Sequence, residues 1–172
     1  MLTKQTKFII AIAIQLIIIF SIIIFKMAVL ISGTEVLLRI EPVDPRDPLR
    51  GDYLTFSYKI SNLDSYLFNY SPIKDGDTVY VPLRRQKKYW EAVFGVQKTK
   101  SVDGGKIFIK GKVSSPYGNR IQIIYGIEDY FIPEGTGQNF TFWRREVAAR
   151  VSIDENGNAV LKQIYVDNKP WP

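Results

Sequence analysis

Residues 8 to 25 read FIIAIAIQLIIIFSIIIF, an 18-residue run with no charge and with Gln15 and Ser21 as its polar interruptions. As a helix this run spans about 27 Å, close to the hydrocarbon thickness of a bilayer, and it reads as a transmembrane anchor. The hydrophobic fraction of 46% therefore overstates the apolar content left for a water-facing fold. Lys4 and Lys7 also supply the basic start of a cleaved signal peptide. Against that reading, the apolar run is longer than the usual signal core, and KMAVLISGTE after it carries only Ile31 and Gly33 as a weak cleavage site. The absence of cysteine excludes a lipid-modified cysteine anchor.

Lysine and arginine near a span stay on the cytoplasmic side, and Lys4 with Lys7 outweighs Lys26. The expected organisation is a cytoplasmic stub (1–7), an anchor in the cytoplasmic membrane (8–25), a juxtamembrane linker (26–33) and an extracytoplasmic or periplasmic domain (34–172). Setting aside those three lysines, the net charge of +6 falls to +3, from 20 basic and 17 acidic residues. The one basic run, Arg84, Arg85, Lys87 and Lys88, is flanked by Tyr89 and Trp90. So short a run makes no stripe for nucleic acid and reads as a solvated hairpin connection, so no nucleic-acid partner is expected.

Beyond the anchor, apolar residues recur at period two between turn signals, the pattern of half-buried strands. Leu54, Phe56, Tyr58 and Ile60 share one face, as do Val79, Val81 and Leu83, then Ile107, Ile109 and Val113, then Ile121, Ile123, Tyr125 and Ile127. VAARVSID and AVLKQIYVD flank ENGN, where Asn156-Gly157 suits the positive φ angles of a tight hairpin. The stretches 61–72 and 134–146 escape the alternation, and a short helix is expected around Gln138 to Arg145. The fold class is mainly β: one antiparallel domain of about seven or eight strands, as a sandwich or a partly open barrel, behind a single anchor.

With neither histidine nor cysteine, the common nucleophile and base pairs, zinc sites and thiol chemistry are closed to the chain. The densest cluster of charge is EPVDPRDPLRGDYLTFSY, residues 41–58. Prolines at 42, 45 and 48 favour an extended, polyproline-like path. Asp44, Asp47 and Asp52 have the oxygen chemistry for calcium, but Arg46 and Arg50 are interleaved with them and internal salt bridges are simpler. No metal or cofactor is expected. Arg50-Gly51-Asp52 is also the cell-adhesion tripeptide, here leading straight into a strand.

PVDPRDPLRGDYLTFSY resembles the hallmark of a bacterial membrane-anchored family named for its GDYXXLXY motif. Gly51, Asp52, Tyr53 and Tyr58 match, and Phe56 stands at the leucine position. YGIEDYFIPEGTG (125–137) is similar to a second signature of that family, and DENGNAVLKQIYVD to its usual ending. The resemblance implies an N-terminal anchor with an extracytoplasmic β domain working beside membrane proteins, and it brings no catalytic residues.

The leading expectation is a non-catalytic module docking on a membrane or envelope partner. Its polar recognition surface would comprise Asp44, Arg46, Asp47, Arg50, Asp52, Tyr53, Tyr58, Glu128, Tyr130 and Glu134. The competing view of these residues is that they fasten loops to the sheet, with Arg46 or Arg50 bridging an acid such as Glu128. A second reading is a fold similar to signal peptidases, with Ser32 as nucleophile and Lys106, Lys110 or Lys112 as base. Here the turn comparable to the one that bears the peptidase serine offers Asp44 and Asp47 instead. A third is an envelope sugar or lipid binder using Tyr66, Phe68, Tyr70, Tyr89 and Trp90.

Overall fold

The computed structural model describes residues 3–41, 53–68, 73–100, 107–117, 119–131 and 145–171. The apolar run folds as one helix, α1 (Lys4–Ser32), capped where Thr3 Oγ1 accepts from the Thr6 amide at 3.2 Å. Its mean hydropathy reaches 3.1, and none of that window is buried inside the protein. Residues 26–32, read from the sequence as linker, continue this helix, so that Gly33 alone separates it from the first strand.

The rest is strand and turn. In order these are β1 (Thr34–Glu41), β2 (Tyr53–Thr55), β3 (Ser57–Tyr58), β4 (Asn62–Asp64), β5 (Thr78–Gln86), β6 (Tyr89–Ala92), β7 (Phe108–Tyr117), β8 (Arg120–Ile124), β9 (Asp129–Phe131), β10 (Val147–Ile153), β11 (Ala159–Val166) and β12 (Lys169–Trp171). Short 3-10 turns at Lys59–Ser61 and Ser65–Leu67 flank β4. One antiparallel sheet has the order β12-β11-β10-β1-β3, the other β4-β8-β7-β5-β6, and β2 pairs with β9 as a separate ribbon. The chain is mainly β with a single N-terminal apolar helix. The expected seven or eight strands are β1, the β2–β3 run, β5 to β8, β10 and β11. The short β4, β9 and β12 add to them, and β2–β3 is split at Phe56.

The alternation read from the sequence puts its apolar face inward. Val36, Leu38 and Ile40 of β1 meet Val79, Val81 and Leu83 of β5, Ile109 and Val113 of β7, Ile121 and Ile123 of β8, and Val147, Ala149, Val151 and Ile153 of β10 in one core. Gly111 belongs to the inward row of β7, where a Cβ would collide with Ile123 and the Tyr125 ring. The missing side chain lets the two strands and that ring close up.

The last hairpins differ in detail from the ENGN expectation. Of Asn156-Gly157 only Gly157 has a positive φ, 80°. The loop is longer, with Ile153 paired to Ala159, and Asp154 organises it by accepting from the Asn156 and Asn158 amides at 2.8 Å. The two-residue turn with both φ angles positive is Asp167-Asn168 (50° and 66°), joining β11 to β12. Lys87-Lys88 forms the β5–β6 turn, so the basic run is a hairpin tip. The helix expected near 138–145 falls on 132–144, outside the described residues, and Arg145 at its end is not helical.

Candidate functional site

Two sequence signatures, around residues 53–60 and 125–131, come together at one corner of the domain. β2 pairs with β9 in the register Tyr53–Phe131, Leu54–Tyr130 and Thr55–Asp129, and Thr55 Oγ1 donates to Asp129 Oδ1 at 2.9 Å. At Phe56 the strand changes partner. The Phe56 amide donates to Glu128 O at 2.8 Å, and the next two residues pair with β1 instead. The split between β2 and β3 is this change of partner.

Tyr58 and Tyr125 lock the corner. The Tyr58 hydroxyl, on a side chain with 0% exposure, donates to Ile127 O at 2.6 Å. The buried Tyr125 hydroxyl donates to Ile60 O at 2.6 Å. Burial, reinforced by the Glu128 carboxylate, pushes both phenols well above their ordinary pKa of 10.0. Glu128 folds back on its own turn: Oε1 accepts from the Tyr125 amide at 2.6 Å and Oε2 from the Ile127 amide at 2.9 Å. Both carboxylate oxygens thus bind main-chain amides of the same turn, while the arginines expected to bridge Glu128, Arg46 and Arg50, lie outside the described residues.

Of the proposed recognition residues, Tyr58 faces the core, and the half-buried Glu128 binds the amides of its own turn. Tyr130 packs partly buried against the core, and the backbone of Tyr53 is placed by the β2–β9 ribbon. Asp44, Arg46, Asp47, Arg50, Asp52 and Glu134 lie outside the described residues. Ser32, the would-be nucleophile, donates to Ala28 O at 2.7 Å within α1. Lys110 and Lys112 are exposed on β7, and Lys106 lies outside the described residues. Of the aromatics considered for stacking on a ligand, Tyr66 is exposed, Phe68 and Tyr89 are buried, Trp90 packs against the core, and Tyr70 is not described.

Sequence reasoning missed a second arrangement, on the outer face of the first sheet. A pocket of about 210 Å³ is floored by Leu37 and Ala148 and walled by Tyr89, Tyr165, Arg150 and Glu146. Glu146 is held by the Tyr89 hydroxyl at 2.6 Å and by Lys88 Nζ at 2.8 Å. These hydrogen bonds, that from Lys88 foremost, keep its carboxyl below the ordinary 4.5. Arg39 lies over the Tyr89 ring at 4.6 Å and Arg150 over the Tyr165 ring at 4.9 Å. One signal was available in VAARVSI, where the positions that point away from the core are Ala148, Arg150 and Ser152. Two small residues facing away from the core mark a face that something covers.

A family model described as GDYXXLXY protein matches residues 15–164, from within the helix into the last long strand. The chain belongs to the GDYXXLXY family. Within the family motif, Tyr58 and Phe56 are the residues that turn and lock the corner, and the second signature supplies their acceptors. No curated protein and no solved structure matches the chain.

Proposed function

We propose that this GDYXXLXY chain is a single-pass protein of the cytoplasmic membrane, N-terminus inside, whose extracytoplasmic domain docks on a membrane or envelope partner without catalysing a reaction. The observation that carries this reading is the junction between helix and sheet. Val29 is the one residue of α1 that is buried, and its carbonyl accepts both from the Gly33 amide at 3.1 Å and from Ser152 Oγ at 2.7 Å. Gly33 fits this seam because a Cβ there would collide with Ser152 Oγ and with the carbonyls of Val29 and Ile153. A domain joined in this way presents the same faces to its neighbours in the membrane, unlike one swinging on a loose tether.

The charges at Asp44, Arg46, Asp47, Arg50, Asp52 and Glu134 remain the proposed recognition surface, without Tyr58 and Glu128. The test is a pull-down from solubilised membranes with the wild type and with Asp47→Ala and Arg50→Ala, alongside melting temperatures. Loss of a discrete membrane partner at unchanged melting temperature supports the reading. Full retention of every partner with a lowered melting temperature would make these residues internal fasteners. Activity of a C-terminal alkaline phosphatase fusion tests the orientation, and an inactive fusion would reverse it.

A further inference from the structure

The outer face of the first sheet carries two arginines whose N–H groups make no hydrogen bond among the described residues. Arg39 has its ring contact with Tyr89 and no hydrogen bond or ion pair among the described residues. Arg150 lies over Tyr165 and forms a long ion pair with Glu35 Oε2 at 3.8 Å, beyond hydrogen-bond reach. The other oxygen of Glu35, Oε1, is held by Lys162 at 2.7 Å. Stacking on a tyrosine fixes the plane of each guanidinium and leaves its fork of N–H groups at the edge, the geometry that matches phosphate or carboxylate.

Strand register places the two together. Arg39 pairs with Ala148 and Leu37 with Arg150, so the arginines are diagonal neighbours on one face, roughly 7 Å apart at the backbone and within reach of a shared ligand. Four cations (Arg39, Arg150, Lys88 and Lys162) surround the pocket and its border against three carboxylates: Glu35, Glu146 and Glu41, two residues beyond Arg39 on the same row. Glu35 and Glu146 are already bound by lysine. The local excess is positive, and the forks that remain open belong to the arginines.

The anchor seats on the same face. Glu35 pairs with Ser152, which holds Val29 of α1, and Arg150 is two residues further along β10, about 7 Å away. Apolar side chains stay exposed along α1 as far as Ile31, at 74%, only two residues before Gly33. Met27 and Ile31, exposed beyond Lys26, extend the apolar surface of α1 past the 8–25 run, which puts the hydrocarbon boundary beside the Glu35–Ser152 row and the Arg150 row at the depth of lipid headgroups. From this juxtaposition the geometry points to a phosphate site: the Tyr89–Tyr165 pocket, with Arg39 and Arg150 as its donors, takes the headgroup phosphate of an anionic phospholipid from the leaflet into which α1 emerges.

The test uses the full chain in detergent with phosphatidylglycerol or phosphatidylcholine added, read by native mass spectrometry. The expected result is one retained phosphatidylglycerol in preference to phosphatidylcholine. In Arg39→Gln/Arg150→Gln this retention falls at least about tenfold, as loss of charge-assisted forks requires. Arg120→Gln, on the other sheet, leaves it unchanged. Arg39→Lys and Arg150→Lys keep charge and stem packing but lose the fork, so weaker retention in these variants supports the site even where the double variant folds poorly. Equal retention of both lipids, or retention indifferent to all these arginine substitutions, overturns the proposal. Displacement of the lipid by millimolar inorganic phosphate would assign the pocket to free phosphate and overturn the lipid source.

Discussion

Tyr58 and Tyr125 each donate a buried hydroxyl to a main-chain carbonyl in the other's segment, Tyr58 to Ile127 and Tyr125 to Ile60. The exchange ties the strand that leaves the GDYXXLXY motif to the turn that follows β8. Each bond satisfies a polar atom that the core has removed from water, so neither partner can be deleted cheaply. Tyr58→Phe and Tyr125→Phe are each expected to cost about 1–3 kcal/mol, the penalty for leaving a buried carbonyl without its donor. Chemical denaturation of the solubilised chain measures this. In a double-mutant cycle the two changes should not add, because both loosen the same corner. Strict additivity would show that the two bonds act separately.

The same pair contributes to the response to base. Both phenols titrate above their ordinary 10.0 in the folded chain, so the unfolded chain gives up those protons first as pH rises. Their contribution is fully present below pH 10 and is lost above it, at about 1.4 kcal/mol per pH unit for each tyrosine. Stability measured from pH 9 upward should fall with a slope that becomes shallower by one proton in Tyr58→Phe and again in Tyr125→Phe. A slope unchanged by either substitution would contradict the burial of these hydroxyls.

Acid acts at another place. Lys88 and Tyr89 hold the Glu146 carboxyl below its ordinary 4.5, so its stabilisation is present above about pH 4.5 and is lost as pH falls through the lowered folded value. Glu146→Gln should be less stable than the wild type at neutral pH, and the gap should close below pH 4.5. A gap that persists at pH 2 would mean that the glutamate acts through packing. The ion pair is solvent-exposed, so added salt should narrow the difference at neutral pH.

Much of the fold was legible because period-two alternation is a local property. The inward sets on β5, β7 and β8 needed nothing but the sequence, and the anchor needed only its length and lack of charge. Tyr58 was harder. Alternation placed it on the buried face, while its membership of a conspicuous polar motif suggested a surface role. Which of these holds depends on Ile127 O, 69 residues away, and that contact leaves no local trace. Glu128 was ambiguous for a different reason: a carboxylate that caps its own turn has the same sequence as one offered to a partner. The Arg39–Arg150 diagonal required the register of β1 on β10, which alternation alone does not specify.

Gly111 tests how tightly β7, β8 and the Tyr125 ring are packed together. Gly111→Ala places a methyl group against Ile123 and the Tyr125 ring in a filled core. Overpacking of this kind costs about 1–3 kcal/mol, and here the displaced ring also carries the bond to Ile60. Thermal unfolding should register the loss, and Gly111→Ala/Tyr125→Phe should lose less than the sum of its parts. A neutral Gly111→Ala would mean that β7 and β8 separate easily, against the packing seen here.

The junction of helix and sheet makes the strongest mechanical claim, because one carbonyl receives both fastenings. Ser152→Ala removes one donor from Val29 O and leaves the Gly33 amide in place, so its cost should be modest, about 0.5–1.5 kcal/mol. Gly33→Val is different in kind: the new side chain meets the main-chain oxygens of Val29 and Ile153, which cannot rotate away as a side chain can. The helix must then lift from β10. Spin labels on exposed Phe25 and on Glu155 in the β10–β11 loop should give a narrow distance distribution in the wild type, nearly the same in Ser152→Ala, and a broad one in Gly33→Val. If Gly33→Val stays narrow, the attitude of the domain is set by something other than this seam. If the wild type is already broad, the anchor is a loose tether, and the arginines on the neighbouring rows are not held at the depth of the headgroups.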